Sequence, residues 1–444
     1  MPGLRIMCGP QPGRKLTLLA EREEEEMRYS VISKGLTPER LEAEIKKVSG
    51  RDISRTILLG QIFCELDEDQ AKALSKVSGL AVKPMQEYKT NQVQTALPPV
   101  ETISDVFYLL RSYFAVPLTG TGLTVAVLDS GIRKTHQSLL NKVIYEANYS
   151  GSPTADDVFG HGTQVAFVIA GGMHAQGEKA GVSPGASLMN IKVISDEGIG
   201  SDESIILGID KVCDLAEAAR KKGLSPTDDL YPNVINLSLG GEDDGDPDNP
   251  VRAACRQASQ TYGLDVIAAA GNFGPKMTTI TLPACDPEVI AVGAVEAAGD
   301  LIIWDNSSRG PTVQGETKPD FVMWGTNIEM ASEKADDEYV TKSGTSFAAP
   351  ILSGLTGLLW ESGRRAYGES WPFRWTQARE YALYFSTKPV DAPVNKDNAY
   401  GYGLPAMGTM LGQMTQVSTP AQGGLEMFPM IMLMTVMARM MGGA

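Results

Sequence analysis

Five short, mostly apolar runs constrain the fold of this chain more than any other feature: Leu123–Leu128, Leu188–Val193, Val234–Leu237, Val266–Ala270 and Val289–Val292. A strand with one wet face alternates apolar and polar residues. These runs do not, so both of their faces must be covered, as in a parallel sheet with helices above and below. Helical patterns fall between them, at Ser204–Ala219 and Pro250–Tyr262. The 46 glycines and 26 prolines fit a turn-rich α/β protein better than a helical bundle. At 444 residues and 43% apolar, the chain exceeds one ordinary domain and can bury a large core.

Ahead of that pattern lies a smaller unit. Arg28–Ser33 reads as a strand, and Thr37–Val48 as a helix with Leu41, Ile45 and Val48 on one face. Ile53–Leu59 and Gln61–Leu66 read as strands around Gly60. Asp67 opens a second helix, with Gln70 at capping-box spacing, and Leu80–Lys83 is a last strand stopped by Pro84. The order β-α-β-β-α-β predicts a ferredoxin-like α+β sandwich. The expected organisation is an acidic arm over 1–27, this unit over 28–86, a linker over 87–120, the α/β domain over 121–414, and a linker with a Met-rich tail over 415–444.

A net charge of −15 speaks against nucleic acid as a partner. Five scattered cysteines without a CxxC pair signal neither a disulfide framework nor zinc, and three histidines are too dispersed for a metal cluster. The first residues lack a secretory pattern, which leaves the compartment open between intracellular and non-standard export. Met427–Ala438 is shorter than a bilayer span. Its methionines suit an adaptable surface, so the tail is expected to dock a partner or a membrane surface.

Three segments end or follow strands with a polar residue in a small-residue setting. In Val125–Gly131 the carboxylate of Asp129 follows directly on an apolar strand. Catalytic groups in open α/β sheets sit at such carboxyl ends, although an Asp there can equally cap the next helix. In Gly160–Ala166, His161 lies between two glycines at the start of a helical run, and a capping role is again the alternative. In Lys342–Pro350, Ser346 precedes an apolar helix. Its hydroxyl then stands at a helix N-terminus, where the dipole and free N–H groups can stabilise an oxyanion.

Together, in the order Asp, His, Ser, these segments resemble the signature regions of the subtilisin-like (subtilase) serine proteases. Further segments match between them: Gly181–Ala186, Val234–Gly241, Ala268–Asn272, Ser307–Pro311 and Tyr400–Gly403. The resemblance covers about 122–405. It implies a subtilisin-like parallel sheet flanked by helices, preceded by an α+β propeptide of ferredoxin-like form. It implies a serine endopeptidase acting through Asp129, His161 and Ser346, with Asn272 in the oxyanion hole and no cofactor required for catalysis. Ser238, Leu239 and Gly240, with Gly198 and Gly200, are implied to grip an extended polypeptide substrate by strand addition. Ala268–Ala270 and Pro283-Ala284 are implied to wall the primary pocket, and Ala270 and Gly271 to bind substrate.

The N-terminal unit resembles the family's inhibitory propeptide, most tellingly at Glu68–Leu74, so the chain's own propeptide is an expected partner in cis and cleavage is expected within 86–105. The alternative is a catalytically silent protein of the same fold, held shut by that unit. Four departures from the family pattern occur: Gln164 for a second histidine, Phe167 for a glycine, and Met323-Trp324 for Ala-Pro before Gly325. The acidic loop with Glu242, Asp243, Asp244, Asp246 and Asp248 leaves room for a structural calcium, as in related enzymes, but fits no EF-hand. A solvated loop is the preferred reading.

Overall fold

A computed structural model describes residues 27–90, apart from 34, 49 and 57, and 118–405, apart from 173–179, 297–300 and 369–372. The acidic arm, most of the expected linker and the Met-rich tail lie outside the described residues.

The N-terminal unit runs β1 (Met27–Ser33), α1 (Pro38–Lys47), β2 (Arg51–Arg55), β3 (Gln61–Leu66), α2 (Glu68–Ser75) and β4 (Leu80–Pro84). Its antiparallel sheet has the order β2-β3-β1-β4, the ferredoxin-like arrangement. Thr37 caps α1, and Asp67 with Gln70 forms the capping box on α2. β2 is shorter than the expected Ile53–Leu59. Leu58 and Leu59 leave the sheet, and their N–H groups donate instead to Asp210 Oδ1 at 2.8 and 2.9 Å.

β3 explains the unit's position through its two-residue period. Ile62, Cys64 and Leu66 point to the unit's own helices and build a small core with Val31, Leu41, Ile45 and Leu74. Phe63 points the other way and joins the core of the larger unit, as does Leu59. Gln61, also on that side, accepts from Ser30 Oγ and donates to Pro250 O.

The larger unit carries β5 (Glu87–Thr90), β6 (Thr124–Asp129), β7 (Val143–Asn148), α3 (His161–Ala170), β8 (Ser187–Lys192), β9 (Ile199–Ser201), α4 (Asp202–Lys221), β10 (Val234–Leu237), β11 (Leu239–Gly240), α5 (Pro250–Gln260), β12 (Asp265–Ala269), β13 (Ile290–Val295), β14 (Phe321–Trp324), β15 (Ile328–Ala331), β16 (Tyr339–Lys342) and α6 (Thr345–Tyr367). Seven strands form a wholly parallel sheet in the order β14-β13-β12-β10-β6-β8-β7. Alternate residues serve opposite faces. Val125 and Val127, with Ile267 and Ala269, pack under α3 and α6, whereas Ala126 and Leu128, with Val266 and Ala268, pack under α4 and α5. The fold is therefore the α/β architecture that the uninterrupted apolar runs predict.

Chain order reverses around β6: β8 lies on one side and β10 on the other. A crevice opens at the carboxyl ends of strands where the order reverses, and ligands of open α/β sheets bind there.

Residues 87–90, expected to begin a linker, form a strand instead. β5 is the middle member of a three-stranded antiparallel sheet between β11 and β9. The acidic loop after β11 is likewise not simply solvated. Lys83 pairs with Asp246, and Gln86 Nε2 donates to Asp244 Oδ2 at 3.2 Å. Asp243, Asp244 and Asp246 each also accept the N–H two residues on. Among the described residues no group of three or more His, Cys, Asp or Glu side chains gathers as a metal site.

Candidate active site

Asp129 is the last residue of β6 and is fully buried. Its Oδ1 and Oδ2 lie 2.8 and 3.0 Å from His161 Nδ1. Oδ1 also accepts the Ser130 N–H at 2.8 Å. A buried carboxylate on Nδ1 fixes the proton there and leaves Nε2 to face the other way. That Nε2 has no hydrogen-bond partner among the described residues.

His161 opens α3, and its neighbours explain how a helix can start so close to the Asp loop. Gly160 has φ +99°, a left-handed conformation that suits glycine. A Cβ on Gly162 would come within 2.1 Å of the Gly131 carbonyl oxygen, so only glycine permits this approach. Gly160 gives no side-chain cap. Buried Asp157 supplies it, accepting from Gly160 N at 2.7 Å, Thr163 N at 2.8 Å, Thr163 Oγ1 at 2.6 Å and Ser130 Oγ at 2.9 Å. Ser130 Oγ in turn accepts from Gly162 N at 2.9 Å. Burial raises the Asp157 carboxyl above its ordinary range, against the pull of those four donors. Asp157 and Ser130 thus lock the Asp segment to the His helix. Neither was a sequence candidate, because Asp157 stands six residues before Thr163, outside any capping-box spacing.

Ser346 is the second residue of α6. Pro350 lacks the N–H that would bond the Ser346 carbonyl four residues back. That carbonyl accepts from Ser238 Oγ instead, at 2.8 Å, while Ser346 Oγ donates to the Ser238 carbonyl at 3.0 Å. Asn236 Nδ2 donates to Ser238 Oγ, and Ser353 Oγ donates to Asn236 Oδ1. The His161 ring stands beside Phe347, the residue after Ser346, with ring centroids 5.6 Å apart. In this resting arrangement the serine proton is held by Ser238 rather than by the imidazole.

Asn272 accepts at Oδ1 from Thr345 N at 2.9 Å and Thr345 Oγ1 at 2.8 Å. A backbone N–H can only donate, so the atom it meets must be the amide oxygen, and the amide nitrogen is turned to the opposite side. Thr345 Oγ1 also accepts from Gly271 N at 3.2 Å. Ala270 is held by Val292 O and Thr281 N. The residue before the serine therefore orients the asparagine, a role that only the folded chain displays.

The residues expected to grip a peptide fall as follows. Leu239 faces Thr90 and Gly240 faces Lys89, whereas Gly200 faces Tyr88 across the strand β9. Ser238 lies at the serine. Gly198 is in the turn before β9, bonded to Ser195 O, and takes no part in that pairing. Phe167 finds room in α3 by edge contact with Tyr339, ring centroids 5.8 Å apart. Gln164 is buried, and neither of its amide atoms has a hydrogen-bond partner among the described residues.

The family model described as "Subtilase family" matches residues 120–403. Serine protease AprX of Bacillus subtilis (strain 168) is 34% identical over 61% of this chain, which spans 64% of that relative's length. Subtilisin BL of Lederbergia lenta is 33% identical over 65% of this chain and 90% of its own. Among solved structures, Sphericase superposes with a TM-score of 0.54 at 27% identity, over 67% of this chain and 96% of its own. The matched span contains the whole seven-stranded sheet and each of the three polar residues at its carboxyl end, and the chain belongs to the subtilase family of subtilisin-like serine proteases.

Proposed function

We propose that the chain is a serine endopeptidase that hydrolyses polypeptides through Asp129, His161 and Ser346 and is made as a zymogen inhibited by residues 27–90. The observation that carries this reading is the buried Asp129–His161 pair, at 2.8 Å, at the switch point of the sheet, with the His161 ring 5.6 Å from that of Phe347, the residue after Ser346. In the reaction the Ser346 hydroxyl turns from Ser238 to His161 Nε2, which takes its proton as Oγ attacks the scissile carbonyl. Asp129 keeps the imidazole in the tautomer that can accept there and stabilises the imidazolium. The Asn272 amide and the Ser346 N–H donate to the tetrahedral oxyanion. His161 then protonates the leaving amine, and water repeats the sequence on the acyl-enzyme.

Zymogen inhibition is supported by β5. It occupies the strand position that an extended substrate would take between β9 and β11. Thr90 stands opposite Leu239, so an extended substrate bound in the same register would meet Ser238 with its next residue. The bond cut on maturation is therefore expected to follow residue 91.

Ser346→Ala tests both halves. The variant should fold and remain uncut, and should not digest casein, while the parent chain acquires a new N-terminus at residue 92. Casein digestion by the variant overturns the triad, and a parent cut within 27–84 overturns the inhibitor reading.

A further inference from the structure

Asp129 and His161 meet directly, whereas the Ser346 hydroxyl is held by the Ser238 carbonyl. The path over which that hydroxyl must turn is set by the packing of the segments that carry the three residues. Each segment sends one ring to a common point. His136 follows Asp129 by seven residues, Phe167 follows His161 by six, and Tyr339 precedes Ser346 by seven. The Tyr339 ring meets the other two edge-on, with centroids 5.2 Å from His136 at 88° and 5.8 Å from Phe167 at 76°. Its hydroxyl lies 2.7 Å from Ser138 Oγ and accepts from Gln137 Nε2 at 3.2 Å. Edge contacts on two sides and a bonded tip fix both rotations of the tyrosine side chain. The partners are themselves pinned. His136 is fully buried, with Nε2 donating to Glu338 O at 3.0 Å and Nδ1 accepting from Ser138 N at 3.2 Å. Phe167 is backed by Gly171, where a Cβ would stand 2.6 Å from the ring. Beyond the rings, Arg133 Nε donates to Asp336 Oδ1 at 2.8 Å and Gln137 N to Asp336 O at 2.7 Å, which ties the β15–β16 hairpin to the Asp segment. Phe167 stands where the subtilase pattern has glycine, so the three-ring contact is not one that the pattern implies.

We propose that Tyr339 is a positioning residue: keyed between His136 and Phe167, its ring sets where the Ser346 helix stands relative to the Asp129–His161 pair, and through that the rate at which Ser346 attacks. This deepens the peptidase reading and rests on it. Tyr339 opens β16, and only Ser343 and Gly344 separate the end of that strand at Lys342 from α6. A shift of the ring is therefore carried along a short strand to the turn that holds Ser346. Displacement of reacting groups by about 1 Å costs about a hundredfold in rate. The strands proposed to grip substrate, β9 and β11, take no part in the three-ring contact. The effect should accordingly fall on kcat and spare KM.

The test is the hydrolysis of fluorescein-labelled casein by the matured full-length protein and its variants, with rates normalised to folded protein. Tyr339→Leu should lower kcat at least about tenfold and leave KM within about twofold. Tyr339→Phe keeps the ring and loses only the hydroxyl, and should restore kcat to within about threefold of the parent. Phe167→Leu removes the facing ring and should lower kcat in the same way, again at constant KM. A side chain that merely fills space would lower the melting temperature and leave kcat per folded molecule unchanged, and that result in Tyr339→Leu overturns the proposal. A rise in KM at constant kcat overturns it too, as does a Tyr339→Phe variant as slow as Tyr339→Leu. If Tyr339→Leu does not fold, Phe167→Leu decides: a tenfold loss of kcat at constant KM supports the proposal and an unchanged kcat overturns it. A parent protein that leaves casein intact overturns the peptidase reading instead.

Discussion

The two folded units of this chain stand on different foundations. The larger one has two extensive cores, one on each face of its sheet, and every strand of that sheet except its two edges is hydrogen-bonded on both sides. The smaller one has a single core of nine buried side chains. Its best aromatic, Phe63, belongs to the other unit's core, and its exit strand β5 belongs to the other unit's cleft. A unit of about 60 residues buries a modest fraction of its surface and is marginal alone. The difference teaches that the small unit is built less to stand alone than to be completed by what it covers. The same contacts that complete it fill the groove between β9 and β11.

The comparison breaks outright if the small unit is self-sufficient. A fragment spanning 27–90 should show no cooperative thermal transition by circular dichroism, while the full chain does. A sharp transition of the fragment near that of the full chain would show that Phe63 and β5 are ornaments to its stability. The next largest effect belongs to the larger unit. Gly162→Ala drives a Cβ against the Gly131 carbonyl, and relief must separate α3 from the Asp129 loop. Overpacking of this kind costs about 1–3 kcal/mol. Peptidase activity should fall at least about a hundredfold, since small misplacements of reacting groups cost that much. Full activity in that variant would mean that the His helix tolerates displacement.

Phe63→Ala sharpens the comparison from the interface side. It removes a fully buried ring that touches mainly the α4–α5 layer, at a cost of about 3–5 kcal/mol. Because the side chain serves docking rather than the nine-residue core, the loss should appear as release of the small unit. Exchange protection across 87–90 should drop and maturation should quicken, while the large unit melts as before. If the melting of the large unit shifts instead, Phe63 is structural for both.

How much of this was legible beforehand follows from where the information resides. The sheet strands were readable because burial on both faces leaves apolar runs, and Asp67 with Gln70 was readable because a cap is a local contact. Two things were not. Glu87-Tyr88-Lys89-Thr90 reads as polar linker, since its strand identity comes wholly from β9 and β11, which lie more than 100 residues away. The acidic loop read as solvated, since Lys83 and Gln86, which meet it, lie on another unit. In the site, the residues proposed to react sit in recognisable segments. Those that position them, Asp157, Ser130 and Thr345, act through contacts that no periodicity reports.

The smallest expected effect concerns how acidity tunes the hold of one unit on the other. Burial in the docked state raises the Asp202 carboxyl from 3.8 to about 6, with the Gln86 N–H and Tyr88 hydroxyl opposing and Asp244 adding to the rise. A carboxyl whose pKa is raised on docking binds a proton more tightly when docked. Its contribution is therefore complete below about pH 4 and lost as pH climbs through about 6. Another carboxylate at the interface acts in the opposite sense. Asp246, despite partial burial, is held below its usual range by Lys83. It weakens docking only when acid reaches the ordinary carboxylate range, below the interval from pH 5 to 7 in which Asp202 titrates. Across that interval, exchange protection of 87–90 in Ser346→Ala protein, corrected for intrinsic exchange, should fall by about tenfold. Asp202→Asn, which cannot titrate there, should flatten the profile. A slope that survives in Asp202→Asn would assign it to another group and leave the hold of the small unit insensitive to this carboxyl.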